Sequence, residues 1–176
     1  MDADKPLKKE TVKRWFEGLA LPCDPANIME DMIHATLKPF LASCSRTLVP
    51  SVDQDRWRRG YCPICGGNAD FALLKGENGA RWLVCSRCDA EWLFQRLECP
   101  YCGNKDQSTL AYYANEGLYR LYVCEKCRRY LKAVDSRLAR SQVLLPVERL
   151  FSLDIDRQGQ QLGYSPCGKA TEKQKA

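Results

Sequence analysis

A single histidine, His34, is present among 176 residues, and no cysteine or histidine stands near it at ligand spacing. That scarcity argues against a histidine-based hydrolytic metal site, and His34 reads as a surface or packing residue. No Ser–His–Asp set, phosphate loop or histidine–carboxylate pair is found elsewhere, so the chain is not expected to be an enzyme. Long apolar runs are missing too: none reaches the roughly 18 residues of a membrane span, so no membrane insertion is expected. The first ten residues are charged and lack both the apolar stretch and the small-residue cleavage site of a secretory signal. These absences predict a cytoplasmic chain in a reducing compartment. There, paired cysteines are metal ligands or redox centres more often than structural disulfides.

Cysteine is what the chain has in excess, with eleven residues. Eight of them form four Cys-x-x-Cys pairs: Cys62/Cys65, Cys85/Cys88, Cys99/Cys102 and Cys124/Cys127. Two residues between sulfurs is the spacing of a tight turn that aims both thiolates at one tetrahedral metal, and two such turns face to face close a four-sulfur cage. The pairs repeat. Cys62-Pro-Ile-Cys-Gly-Gly matches Cys99-Pro-Tyr-Cys-Gly-Asn, and Val84-Cys-Ser-Arg-Cys matches Val123-Cys-Glu-Lys-Cys. Arg81 and Arg120 each stand four residues before the third cysteine of their repeat, and Leu73 and Leu110 each stand eight after the second. The region is a duplicated module.

Each repeat is internally complete, which favours sequential pairing: Cys62, Cys65, Cys85 and Cys88 in one cage, Cys99, Cys102, Cys124 and Cys127 in the other. An interleaved arrangement, first pair with third and second with fourth, is the alternative. The expected cofactors are two mononuclear tetrathiolate metal ions, Zn(II) or Fe(II/III), between which the spacing does not choose. A thioredoxin-like site would use one pair on a βαβ framework, and multicluster ferredoxins use denser runs. Glycine after the second cysteine of each repeat suits a positive φ, which turns backbone N–H groups toward sulfur. Between the pairs, residues 73–84 and 109–123 read as β-hairpins turning at Gly76–Gly79 and Asn115–Gly117. The bridge from Asp89 to Glu98 alternates like a strand, with Trp92 and Phe94 on one face, and should join the modules.

The formal charge is +5, which invites a nucleic-acid reading through Arg56, Arg58, Arg59, Arg128 and Arg129. Eight thiolates and two divalent ions would bring the loaded protein near +1, which weakens that reading. Trp57 is expected to pack against the first knuckle while its flanking arginines stay solvated.

Outside the cysteines, residues 7–21 read as an amphipathic helix carrying Val12, Trp15, Phe16 and Leu19, with Trp15 read as packed core. A second helix follows, capped by Asp24 with Pro25 at its first position, burying Ile28, Met29, Met32 and Ile33. Pro39 should kink or restart it, after which Phe40, Leu41, Cys44 and Leu48 form one apolar face. Residues 136–153 read as helix interrupted at Pro146, 154–163 as polar, and the last ten as a solvated tail. Cys23 and Cys167 have no partner by spacing; Cys167 reads as exposed. The expected fold is α+β: an N-terminal helical segment (1–56), two tandem rubredoxin-like or zinc-ribbon β modules (57–97 and 98–135), and a C-terminal helix with a polar tail (136–176).

The order of motifs resembles one family. CPxCG, then CxxC followed by Glu91-Trp92 and Arg96, then CPxCG, then CxxC followed by Tyr130-Leu-Lys132, is similar to the formate dehydrogenase accessory protein family, FdhE. Leu153-Asp154, Gly163-Tyr164 and Ser165-Pro166 resemble the end of its members. The likeness runs over about residues 57–166, and the N-terminal helical region here is shorter than is usual in that family. The resemblance implies a cytoplasmic assembly factor with tandem rubredoxin-like metal modules that binds the formate dehydrogenase catalytic subunit, without itself being the dehydrogenase. A zinc-ribbon nucleic-acid binder and a thiol or iron redox protein are the alternatives.

Overall fold

The computed structural model describes residues 25–114, 117–139 and 142–167. The helix expected at 7–21, Cys23, the Asp24 cap, residues 115–116 of the second hairpin turn and the final tail from 168 lie outside them. The chain divides into two compact units, Met1–Pro39 and Phe40–Ala176.

In the first unit the described structure is the start of helix α1, Pro25–Leu48. The helix runs through Pro39 rather than restarting after it; one proline removes one N–H bond, and the turns on either side keep theirs. Its apolar stripe is not buried as expected. Met32 and Ile33 are about half exposed and Leu37 is also open, while in the second unit Phe40, Cys44 and Leu48 are exposed. Ile28 is half-buried. Helical periodicity reveals that a stripe exists but not what covers it.

The second unit is built on a six-stranded sheet: β1 (Ala69–Lys75), β2 (Ala80–Cys85), β3 (Glu91–Leu93), β4 (Leu110–Ala114), β5 (Tyr119–Cys124) and β6 (Arg129–Asp135), in the order β3-β2-β1-β6-β5-β4. Within each repeat the strands pair antiparallel; the repeats meet where β1 and β6 run parallel, from Phe71 opposite Lys132 to Leu74 opposite Asp135. The duplication is therefore propagated head to tail, the first strand of one repeat against the last strand of the other. The bridge from Asp89 to Glu98 supplies only the short strand β3, at the opposite edge, with Trp92 and Phe94 buried. The modules are joined by the parallel seam and not, as expected, chiefly by that bridge.

Burial follows topology. Central β1 and β6 are buried almost continuously, on both faces, as strands covered on two sides must be. One face gathers Ala72, Leu83, Trp92, Phe94, Leu131 and Ala133, against which Leu41, Val49 and Trp57 pack. The other gathers Phe71, Leu73, Val84 and Val134, covered by Val143 and Leu145, with a neighbouring cluster of Leu121, Val123, Tyr130 and Tyr164 against Ile155.

The C-terminal helix is displaced from its expected place. Residues 136–138 turn, with the Ser136 N–H and hydroxyl both donating to the Leu74 carbonyl. Helix α2 spans Leu145–Phe151 and α3 spans Leu153–Gln161. Pro146 opens α2 instead of breaking a longer helix, because proline's fixed φ and missing donor suit a helix's first turn. The stretch read as merely polar, 154–163, is largely α3. This is an α+β fold with two four-cysteine β modules.

Candidate metal centres

Each Cys-x-x-Cys turn is shaped by its backbone. In the first knuckle Cys62 N–H donates to Gly67 O at 2.8 Å and Gly66 N–H to Cys62 O at 3.1 Å; in its repeat Cys99 N–H donates to Asn104 O at 2.8 Å and Gly103 N–H to Cys99 O at 3.0 Å. The chain can reverse this tightly because Gly66 and Gly103 take φ of 69° and 68°, a region costly for residues with a Cβ. The residue after each fourth cysteine, Asp89 and Arg128, also has positive φ. Ile64 N–H and Arg87 N–H point at Cys62 and Cys85 Sγ, each at 3.4 Å, and such N–H···S contacts offset thiolate charge.

The turns bring the cysteines together in the sequential grouping. The sulfurs of Cys62, Cys65, Cys85 and Cys88 lie within 4.8 Å of one another, as do those of Cys99, Cys102, Cys124 and Cys127. Contacts are 3.5 Å for Cys62–Cys88, 3.4 Å for Cys65–Cys85, 3.7 Å for Cys99–Cys127 and 3.8 Å for Cys102–Cys124. Tetrahedral Zn–S bonds of about 2.3 Å require sulfurs about 3.8 Å apart, so both groups have the size and donor chemistry for one metal ion each. No disulfide is formed by these eight residues.

The thiols share charge unevenly. Hydrogen bonds from Cys62 and Cys85 hold Cys88 down at about 2, and the thiol of Cys85 is pushed up by its contacts with Cys62 and Cys88. In the second group the Cys127 hydrogen bond draws Cys99 down to about 5, and Cys127 itself is pushed up. A divalent cation bound in either group would displace the thiol protons. The groups differ in access: Cys62, Cys85 and Cys88 are fully enclosed, whereas Cys102 is exposed.

The residues next to the cysteines fasten the modules. Tyr101, between the cysteines of the third pair, turns its hydroxyl to the carbonyls of Ala69 and Tyr130 at 3.1 and 3.2 Å, on the two sides of the parallel seam. Trp92 Nε1 donates to Arg59 O at 2.8 Å, and a Cβ on Gly60 would stand 1.9 Å from Pro100 O. Asp135, fully buried, receives Arg120 at 2.8 Å and Arg137 at 2.6 Å, which hold its carboxyl well below the usual range. Tyr130 and Lys132 both donate to Asp156 of α3, at 2.8 and 2.5 Å, and Arg149 of α2 spans Asp70 and Asp89, each at 2.8 Å.

The arginine clusters are largely occupied. Arg56 and Arg58 pair with Asp53 and Asp55, Arg59 lies over Trp57 and Tyr61, and Arg128 pairs with Glu125 and stacks on Tyr164. Trp57 packs against the core cluster containing Cys62, as expected. Cys44 is exposed rather than helix core. Cys167 is half-buried rather than exposed, and burial pushes its thiol up to about 11, away from reactivity.

Residues 61–96 match the family "FdhE, central domain". A "Protein FdhE homolog" of Aquifex aeolicus is 30% identical over 145 residues, 78% of this chain and 50% of that protein. The homologue of Pseudomonas aeruginosa is 28% identical over 153 residues, 76% of this chain and 48% of its own. The crystal structure of the FdhE protein from Pseudomonas aeruginosa superposes with a TM-score of 0.54 at 29% identity, over 61% of this chain and 38% of that one. The chain thus spans half or less of the length of these curated relatives. In sequence and in fold alike, with residues 61–96 matching the FdhE central-domain family, the chain is similar to the FdhE proteins.

Proposed function

We propose that this chain is a cytoplasmic, non-catalytic accessory protein in the assembly of formate dehydrogenase. Its two modules, residues 57–97 and 98–135, would each hold one metal ion in four thiolates and form a rigid platform that engages the dehydrogenase catalytic subunit. The observation that carries the reading is the pair of tetracysteine groups in a chain whose fold is similar to that of an FdhE protein. Cys62, Cys65, Cys85 and Cys88 would bind one ion, and Cys99, Cys102, Cys124 and Cys127 the other. A closed tetrathiolate zinc crosslinks the fold without an open coordination position, and iron in the same site adds a one-electron couple.

The remaining residues present the platform. Helices α1 to α3 leave Phe40, Leu150, Phe151 and Leu153 more than half exposed, and exposed apolar side chains of this size are what a folding client would contact. Arg56, Arg58 and Arg128 each stand beside a carboxylate, which lowers the local positive charge offered to a phosphate backbone. The test is purification without oxygen, with metal content and visible spectrum measured together with capture of the formate dehydrogenase catalytic subunit. Two metals per chain and specific capture are expected; a protein with both metals that captures no catalytic subunit would overturn the proposal.

A further inference from the structure

Arg81 and Arg120 occupy the same place in the two repeats, four residues before the third cysteine, yet their surroundings differ. Arg120 reaches the Asp135 carboxylate. Arg81, only 2% exposed, makes no ion pair with a carboxylate among the described residues. Its Nη2 donates to the carbonyls of Gln95 and Glu98, the latter at 2.6 Å, immediately ahead of Cys99. The guanidinium carbon lies 5.4 Å from the ring centres of both Phe94 and Tyr122. Its Nε and the Tyr122 hydroxyl are buried without partners among the described residues, at a cavity of about 30 Å³ whose wall includes Cys99 and Cys124.

A guanidinium taken out of water costs several kcal/mol unless opposite charge compensates it. Carbonyl dipoles and ring faces supply part of that compensation and no net charge. The second cysteine group borders the same cavity, alongside Arg96, Glu98 and Arg129, and as a divalent tetrathiolate would carry a formal −2. Burial pulls the Arg81 guanidinium down to about 10, the direction expected of an enclosed cation.

We infer that Arg81, although it belongs to the first module, is the built-in counter-cation of the second tetrathiolate centre. It holds the approach to Cys99 by two carbonyls and lowers the cost of gathering four thiolates there, acting as a positioning residue across the module boundary. The inference rests on the metal-binding reading given above. If Arg81 merely supported its own strand, the site weakened by its loss would be the first, because β2 ends in Cys85.

The experiment follows zinc release to a chromogenic chelator from the full chain. Arg81→Met is expected to accelerate release of one of the two ions at least 10-fold. In a Cys99→Ser background, where only the first site is loaded, the same substitution should change release less than 2-fold. Arg81→Lys, which keeps the charge and loses the fork, should show an intermediate acceleration and carries the test if the methionine variant does not fold. With cobalt(II) as probe, losing the cation should move the sulfur-to-metal charge-transfer band of the second site to longer wavelength, and lysine should largely restore it. Acceleration confined to the first site, equal acceleration at both, or none would overturn the inference. A wild-type chain that binds no zinc would instead refute the metal reading itself.

Discussion

Gly60 shows how one absent methyl group positions a module. Its backbone lies so close to Pro100 O that a Cβ would overlap it, and the obstacle is main chain, which cannot swing aside. Gly60→Ala should destabilise the protein by about 3 kcal/mol, read as a lower denaturant midpoint at unchanged slope. Asp135 is a second such position. Replacing it by Asn leaves Arg120 and Arg137 around an uncharged group and should cost about 3 kcal/mol at neutral pH, the low end for a broken buried pair because Arg137 is partly exposed. The pH dependence has a definite sign. The folded carboxyl is held below its unfolded value of about 3.9, so the stabilisation is complete above that value and disappears as pH falls through the folded one. The stability gap between wild type and Asp135→Asn, measured by denaturation, should be constant from pH 7 to about pH 5 and should narrow steadily below about pH 4. Neither role was legible in the sequence, since Pro100 and Arg120 are far along the chain. The positive φ of Gly66 and Gly103 was legible, because a knuckle's geometry is local.

At the level of elements, the residues that mark the resemblance turn out to be fasteners. Trp92 holds the entry segment, Tyr130 and Lys132 hold α3, and Tyr164 reaches Glu125. Asp156→Ala would strip Lys132, itself 7% exposed, of its carboxylate and should cost about 3 kcal/mol. The loss should be concentrated in α3, seen as faster amide exchange at residues 153–161 with β1 and β2 unaffected. The hairpins could be read in advance because alternation and turn residues are short-range signals. The position of α2 could not: Pro146 is compatible with either breaking or opening a helix, and what decides is that Ser136 and Arg137 bind the ends of β1 and β6. The outward face of α1 was equally hidden, since an amphipathic pattern does not name its partner.

For the whole molecule, the cysteine spacing announced two modules but not how they join. The β1–β6 pairing links residues about sixty positions apart and leaves no local trace. Cys62→Ser should release one metal ion per chain and Cys99→Ser the other, measured by metal content after gel filtration; loss of both ions from either change would instead indicate tight interdependence. A fragment of residues 57–97 should be insoluble or aggregate on purification, because it lays open the β1 edge with Phe71 and Leu74; a monomeric, metal-loaded fragment would contradict this. The parallel seam also sets a clock on biosynthesis. During translation β1 is made roughly sixty residues before the strand that shields it, an interval of roughly 3–12 s at ordinary elongation rates. Through that interval the newborn chain carries a sticky, half-built sheet beside the cysteines of the first group. Strand β1 must wait for β6, and whatever guards nascent chains has those seconds in which to act.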